Sequence, residues 1–322
     1  MRVLIVGAGG MLGHKVWQIF RDRFDCRAAV RTRLPLPLFD DERVLEGLDA
    51  ADSDGVQRLI ATVEPDVVVN CIGVVKQLAA AHDPIESITL NALLPHVVAR
   101  ACAEVGARLI HISTDCVFAG TRGHYTEADL PDAVDLYGRS KLLGEVIGAV
   151  ARYRGHEVSR QADAVVQARD RATTQPRDRA TTPPLTIRTS IIGRELRTSN
   201  GLVEWFLANR GGSVRGFTRA VFSGVTTAVL AETLAAVIEH HPDLHGLYHV
   251  AGTAIPKYDL LMMLNEAIGG GVTVTPDESV VVDRSLVATR FQAATGLVPP
   301  PWQEMIAALA AESPQYERWR ME

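Results

Sequence analysis

The fold is decided by the stretch Val3–Gly13, which reads Val-Leu-Ile-Val-Gly-Ala-Gly-Gly-Met-Leu-Gly. Its first four residues form a continuous apolar run, as a strand buried on both faces requires. A helical pattern begins at about Met11. Between the two, glycines open backbone angles closed to other residues and let backbone N–H groups approach a pyrophosphate, which the following helix N-terminus also attracts. The spacing Gly7, Gly10, Gly13 therefore predicts a dinucleotide-binding turn; a tight turn without a ligand is the alternative.

Outward from this turn, apolar runs alternate with helical patterns. Strands are predicted at Cys26–Val30, Asp66–Asn70 and Arg108–Ile112, with helices at Val56–Val63 and Thr89–Glu104 between them. Strands that alternate with helices need crossover connections, so the sheet should be parallel and doubly wound. Beyond residue 185, helices are predicted near Thr226–His240, Tyr258–Ile268 and Gln303–Ala311. The pattern here is more mixed, and predicts a smaller α/β lobe packed on the sheet.

The amino-acid composition changes along the chain and divides it into three parts. Residues 1–150 are predicted to form the dinucleotide-binding domain. Residues 151–184 are rich in Arg, Ala and Thr and carry an eight-residue repeat, Arg-Asp-Arg-Ala-Thr-Thr-Gln-Pro, from Arg169. A stretch with so few apolar residues cannot bury enough surface to order itself, so it is interpreted as a disordered insertion. Residues 185–322 should supply the remaining strands of the sheet and the substrate-binding lobe.

Composition excludes several classes of protein. The chain has 322 residues and a net charge of −5, which argues against nucleic-acid binding. The sequence contains no run of about 18 apolar residues, so no membrane-spanning helix is predicted. The N-terminus does not resemble a signal peptide. Four cysteines lack Cys-x-x-Cys spacing and ten histidines are scattered without ligand spacing, so neither disulfides nor a metal site is expected. A cytoplasmic protein is the expectation.

Two residues suggest the chemistry. Tyr137 and Lys141 stand four positions apart at the start of a predicted helix, so the phenol and the ammonium share one face. A nearby cation is expected to lower the phenol pKa towards neutrality and make Tyr137 a proton donor and acceptor; a surface tyrosine beside a solvated lysine is the alternative. The stretch Ser113–Phe118 follows a predicted strand, where ligands bind in open α/β sheets.

The end of the second strand selects the cofactor. An acid about 20 residues after the glycines would grip a ribose 2′-hydroxyl, but this region reads Val30-Arg31-Thr32-Arg33. A guanidinium suits a 2′-phosphate, because it pairs with phosphate oxygens in a bidentate manner. Arg31 therefore favours NADPH, with NADH as the alternative. The other interpretation is that Arg31 and Arg33 are plain solvated loop residues.

Taken in order, Gly7–Gly13, Ser113–Phe118 and Tyr137–Lys141 make the chain resemble the extended short-chain dehydrogenase/reductase superfamily, which has a Rossmann fold. Within it, the chain looks like the dTDP-4-dehydrorhamnose reductase group. The motifs that carry this are Ser-Thr-Asp-x-Val-Phe at 113–118, Tyr-Gly-x-x-Lys-Leu-x-Gly-Glu at 137–145 and Arg-Thr-Ser at 188–190. The resemblance covers nearly the whole chain except about 151–184.

The resemblance implies the site. Thr114, Tyr137 and Lys141 would form the catalytic triad of a reaction in which the nicotinamide transfers hydride to the C4 ketone of a 6-deoxy nucleotide sugar and Tyr137 protonates the ketone oxygen. The same resemblance, together with the glycine spacing and Arg31, gives the expected cofactor contacts: Gly7, Gly10, Met11, Leu12, Gly13, Arg31, Asp49, Ala50, Cys71, Ile72 and Gly73, with Tyr137 and Lys141. The expected substrate contacts are Lys76, Thr114, Asp115, Arg188, Asn200 and Arg284; the basic ones equally suit structural ion pairs.

Departures from the group's pattern leave the sugar open. Cys116 stands where these reductases usually carry Tyr, and Ile191 follows Arg-Thr-Ser where an aromatic residue is usual. Two alternatives stay open: a nucleotide-sugar epimerase that retains NAD, and a non-catalytic NADP-binding regulatory subunit. A nucleotide sugar is the expected small-molecule partner, and a homodimer is one option for assembly.

Overall fold

The computed structural model describes residues 1–74, 83–148 and 182–321. Its helices are α1 (Met11–Phe20), α2 (Ser53–Val63), α3 (Pro84–Ser87), α4 (Leu94–Val105), α5 (Leu136–Leu143), α6 (Leu202–Leu207), α7 (Thr227–His240), α8 (Lys257–Ile268), α9 (Thr289–Thr295) and α10 (Trp302–Met321). A π-helical turn, Ile88–Leu93, joins α3 to α4.

The strands are β1 (Arg2–Val6), β2 (Asp25–Val30), β3 (Val44–Glu46), β4 (Val67–Asn70), β5 (Arg108–Thr114), β6 (Leu185–Thr189), β7 (Ile191–Ile192), β8 (Ser213–Phe217), β9 (Ala220–Phe222), β10 (Val225–Thr226), β11 (Gly246–His249), β12 (Ile255–Pro256), β13 (Thr273–Asp277) and β14 (Val282–Asp283). Seven of them form one sheet in the order β11-β6-β5-β4-β1-β2-β3. Every neighbouring pair in it is parallel.

Strand β1 shows why the sheet is doubly wound. All four apolar residues of its run are buried. Val3 and Ile5 belong to the apolar cluster that contains residues of α1, α7 and α10, whereas Leu4 and Val6 belong to the cluster formed with α2 and α4. Successive side chains of a strand point to opposite faces, so a strand covered on both sides must be apolar throughout. The predicted Rossmann class, a doubly wound parallel sheet, is confirmed.

The strand order reverses between β1 and β4, which are neighbours although β2 and β3 intervene in the chain. In open α/β sheets the crevice outside the carboxyl ends of the strands at such a reversal is where ligands bind. The turn after β1 and the segment after β4 therefore flank the expected site.

The second half of the chain contributes both to the sheet and to a smaller mixed lobe. Strands β6 and β11 extend the main sheet, while β8 pairs with β13, β9 pairs with β12 and β14, and β7 pairs with β10. Residues 151–181 of the predicted insertion lie outside the described residues, as does Lys76. None of the helices in the described ranges is long and apolar enough to cross a membrane.

Candidate active site

The glycine turn is built from backbone alone. Gly7 has φ +86°, in the left-handed region, and a Cβ on Gly13 would overlap the Gly7 carbonyl oxygen. Gly10 caps α1, whose first turn carries no acidic residue. Gly9 and Gly10 are exposed. The amides in the first turn of a helix lack intrahelical partners, so the N-terminus of α1 offers N–H groups to an anion. The residues present therefore fit a pyrophosphate.

The segment after β4 closes the other side of this crevice. The Cys71 amide donates to the Val6 carbonyl at 3.0 Å, and the Ile72 amide donates to Asn70 Oδ1 at 3.0 Å. A Cβ on Gly7 would lie 2.7 Å from Ile72 Cγ1, so the glycine turn and this segment are in contact. Gly73 is exposed and would place a Cβ 3.7 Å from Lys141 Nζ. The predicted contacts Cys71, Ile72 and Gly73 therefore lie between the glycine turn and α5.

Thr114 is the last residue of β5, and Asp115 follows it directly. Thr114 Oγ1 accepts a hydrogen bond from the Cys116 amide and donates to Asp115 Oδ1, both at 3.1 Å. Asp115 is buried, and desolvation raises its pKa against the opposing effects of Arg284 and of hydrogen bonds, one of them with Ser190. The Thr114 side chain also lowers the pKa of the Tyr137 phenol.

Helix α5 delivers Tyr137 and Lys141 to this strand end. Asp135 caps the helix by accepting from the Gly138 amide at 2.8 Å, and a Cβ on Gly138 would overlap the Cys116 carbonyl oxygen. The absence of that Cβ lets the helix lie directly against the segment after β5. Lys141 is 5% exposed and donates from Nζ to the Ile112 carbonyl at 2.8 Å. Burial lowers its pKa to about 8.

The expected effect on the Tyr137 phenol is wrong in direction. Desolvation raises the pKa of Tyr137 above its usual range, with the neighbouring Cys116 adding to the rise and the hydrogen bond with Thr114 opposing it. Lys141 is not among the main groups that shift this pKa, and its Nζ donates to the Ile112 carbonyl. A raised pKa keeps Tyr137 protonated at neutral pH, so its O–H proton is present there.

The two arginines after β2 differ. The Arg33 guanidinium donates to the carbonyls of Phe39, Asp41 and Val44 at 2.6–3.1 Å, so it has a structural role. Arg31 is exposed and its side chain makes no hydrogen bond or ion pair with the residues that the structure describes. The predicted contacts Asp49 and Ala50 follow the next strand of the sheet, β3, and Asp49 Oδ1 accepts from the Ala51 amide at 2.9 Å.

Arg188, predicted as a substrate contact, forms a buried ion pair. It is 2% exposed, and its Nε and Nη2 donate to the two carboxylate oxygens of Glu145 at 2.7 and 2.8 Å. Ser113 donates to the same carboxylate at 2.7 Å. The guanidinium is therefore occupied by a buried ion pair, the structural interpretation that the sequence had left open. Glu145 lies 43 residues away in the chain.

Arg284 and Asn200 lie where a substrate could reach them. Arg284 is half-buried, donates from Nε to the Phe118 carbonyl at 2.7 Å, and influences Asp115 electrostatically. Asn200 precedes Gly201, where a Cβ would lie 3.2 Å from Met11 Sδ. The loop before α6 therefore borders the glycine turn from the side of the small lobe.

Sequence reasoning missed Asn91. It is fully buried within the π-helical turn, where Oδ1 accepts from the Val74 amide at 2.9 Å and Nδ2 donates to Ser140 Oγ at 3.2 Å. It ties the segment after β4 to α5, next to Lys141. An Asn on an otherwise apolar helical face was the available signal, since a buried amide must find partners.

The four cysteines are all free. Within residues 1–74, 83–148 and 182–321, no three His, Cys, Asp or Glu side chains are grouped so as to hold a metal ion.

The chain is similar to proteins of known family and known structure. A family model described as RmlD substrate binding domain matches residues 1–162. Methionine adenosyltransferase 2 subunit beta of Rattus norvegicus is 36% identical over 144 residues, covering 45% of this chain and 41% of that protein. dTDP-4-dehydrorhamnose reductase of Mycolicibacterium smegmatis is 37% identical over 146 residues, covering 45% and 40%. The chain thus matches about two fifths of the length of these curated relatives.

The crystal structure of dTDP-4-dehydrorhamnose reductase from Bacillus anthracis in complex with NADP superposes with a TM-score of 0.73. The two chains share 22% identity, and the match covers 97% of this chain and 99% of the other. At this identity the likeness establishes the shared fold.

Proposed function

We propose, since the chain belongs to the RmlD substrate-binding-domain family, that it is an NADPH-dependent reductase of a 4-keto-6-deoxy nucleotide sugar. One observation carries the proposal: Thr114, Tyr137 and Lys141 meet at the carboxyl end of β5, beside the glycine turn. The M. smegmatis relative is a reductase by name, which supports the same reaction class.

The cofactor fits the residues of the crevice. The amides at the start of α1 would hold the pyrophosphate, and the exposed, uncommitted Arg31 would meet a 2′-phosphate. Gly73, open beside Lys141, leaves space for the nicotinamide ribose. When bound, NADPH supplies the hydride. NADH stays an alternative, because Arg31 is the single side chain on which the preference rests.

The protein side chains would manage the proton. Tyr137, kept protonated by burial, would donate its O–H proton to the carbonyl oxygen of the substrate as hydride reaches the carbon. Thr114, whose side chain influences the Tyr137 phenol, would orient that oxygen. The Lys141 ammonium lies one helical turn away on the same face and would stabilise the phenolate that results.

A nucleotide sugar suits the remaining groups. The half-buried Arg284 guanidinium can pair with a phosphate, while Asp115 and Asn200 offer hydrogen-bonding groups to a sugar. Arg188 is held by its ion pair with Glu145, and its role as a substrate contact stays a prediction. Lys76, outside the described residues, stays a prediction.

The test is oxidation of NADPH with a panel of 4-keto-6-deoxy nucleotide sugars. Tyr137→Phe should lower kcat about 10²–10⁴-fold, the usual contribution of a general acid, while NADPH still binds. Tyr258→Phe is the matched control, because that tyrosine lies in α8 and packs on Gly216. Full turnover by Tyr137→Phe would refute the assigned proton donor.

A second candidate is a regulatory subunit without turnover. It is favoured by the 36% identity to a subunit of methionine adenosyltransferase. NADPH binding with no reduction of any sugar in the panel, together with a stable complex with a methionine adenosyltransferase catalytic chain, would favour it. NAD that stays bound through purification in stoichiometric amount would instead favour an epimerase.

The setting of the protein is also proposed. Free cysteines, two of them buried, support a reducing compartment such as the cytoplasm. The division at residues 150 and 184, a disordered insertion between them and a homodimeric assembly stay predictions.

A further inference from the structure

The carboxyl-terminal helix α10 packs against α1, the helix that begins at the glycine turn. His14 on α1 and Tyr316 on α10 are fully buried, with His14 Nε2 and Tyr316 Oη 2.7 Å apart. Their rings meet edge to face, with centroids 5.5 Å apart. Residues 302 positions apart in the chain thus share one hydrogen bond directly behind the turn.

The geometry fixes the direction of each hydrogen bond. His14 Nδ1 lies 2.8 Å from the Gly10 carbonyl oxygen, which can only accept, so Nδ1 carries the proton. Burial lowers the pKa of His14 to about 3, so the ring is neutral and Nε2 is an acceptor. Tyr316 must therefore donate its O–H to Nε2. The Gly10 carbonyl thus fixes the tautomer, and the Tyr316 hydroxyl binds the remaining ring nitrogen and holds the ring in place against Gly10.

The Gly10 carbonyl therefore receives two hydrogen bonds, one from His14 Nδ1 and one from the His14 amide at 3.0 Å. A peptide group is planar, so holding its carbonyl also holds its N–H. The peptide concerned joins Gly10 to Met11, and its N–H is the first of α1. That amide is among those proposed to meet the pyrophosphate.

The same helix holds the other side of Met11. Arg320 of α10 donates to the carbonyls of Glu195 and Thr198 at 2.9 and 2.8 Å. These residues begin the loop that leads to Gly201, which approaches Met11 Sδ. The carboxyl-terminal helix thus fixes both the glycine turn and the loop that borders it.

We propose that Tyr316 and His14 are positioning residues that align the Gly10–Met11 peptide with the pyrophosphate of the cofactor. This rests on the proposed cofactor and extends it to residues that touch no ligand. Preorganised amides bind an anion better than amides that must be ordered on binding. Removing the Tyr316 hydroxyl should therefore weaken ligands that contain the pyrophosphate and spare those that lack it.

The experiment compares two ligands by calorimetry: NADPH, and adenosine 2′-monophosphate, which lacks the pyrophosphate. Tyr316→Phe keeps the ring and its contacts and should raise the Kd of NADPH about five- to tenfold, the effect of one hydrogen bond. The Kd of adenosine 2′-monophosphate should stay unchanged. Ser313→Ala is the control, because its buried hydroxyl donates to Leu309 within α10. His14→Gln provides a second variant of the same path, and its effect should not add to that of Tyr316→Phe.

The outcomes separate the two proposals. Unchanged NADPH affinity in Tyr316→Phe would overturn the positioning role, and so would equal weakening of both ligands with a lowered Tm. Wild-type protein that binds neither ligand would overturn the cofactor assignment itself, and the positioning role with it. Selective loss of NADPH affinity at unchanged Tm, with Ser313→Ala at wild-type affinity, would support both.

Discussion

Two buried lysines flank the proposed site, and their partners differ. Lys15 on α1 donates to Glu312 at 2.8 Å and to Gln18 at 2.7 Å. Lys141 on α5 donates to a backbone carbonyl, that of Ile112, and its pKa is lowered to about 8 by burial. A buried cation paired with a carboxylate is explained by the fold. Lys141, whose one hydrogen-bond partner among the described residues is a carbonyl, keeps a charge that no carboxylate there offsets directly, and a ligand or a reacting group can use it.

Glu145 shows why Lys141 lacks a carboxylate of its own. It stands one turn further along the chain and raises the pKa of Lys141 electrostatically. Both of its carboxylate oxygens, however, accept from Arg188, and one also accepts from Ser113. The fold thus directs this acid to an arginine and leaves the lysine facing Gly73.

The largest effect is expected when Lys141, the lysine proposed to act in the reaction, is replaced. Lys141→Met should lower kcat about 10²–10⁴-fold, because the phenolate formed at Tyr137 loses its cation. The free energy of unfolding should not fall, since the variant removes a charge whose burial is unfavourable. Steady-state NADPH oxidation and thermal unfolding measure the two quantities. A Lys141→Met variant with normal kcat but a low Tm would show that Lys141 is a structural residue.

The opposite pattern is expected for the other lysine. Lys15→Met leaves the Glu312 carboxylate without its cation, but that carboxylate is 32% exposed and can be hydrated. The free energy of unfolding should fall by about 1–2 kcal/mol, below the cost of a fully buried unpaired charge. The value of kcat should be retained. Denaturant unfolding checks the first expectation, and a stable variant with lost turnover would contradict the contrast.

The sequence predicted the elements that periodicity defines. β1, β4 and β5 are apolar runs, and α7 and α8 begin within one residue of their predicted starts. Helix α10 was predicted to end at Ala311 but continues to Met321. Its second half is polar overall and contains Pro314, yet Tyr316 and Trp319 lie three residues apart and are buried against the core. Tertiary packing therefore extends a helix that local propensity would end.

The site was predictable where spacing is local. The glycine turn and the Tyr137–Lys141 pair are set by neighbours in the chain, and the structure places them at one sheet edge. The partners of Arg188 and His14 lie 43 and 302 residues away, and no local pattern specifies such pairs. The pKa of Tyr137 was expected to fall because the sequence shows the cation, but it does not show the desolvation that outweighs it.

The smallest expected effect is a pH dependence of kcat/KM that only Lys141, and not Lys15, should cause. The ammonium of Lys141 is the form required, and it is lost as the pH rises through its pKa of about 8. Tyr137 stays protonated across this range, because its own pKa is raised. The value of kcat/KM for NADPH, which reports groups of the free enzyme, should therefore fall about tenfold per pH unit above pH 8. The residual activity of Lys141→Met should lack this descent. A break that persists near pH 8 in the variant would assign the titration to another group and remove the distinction drawn between the two lysines.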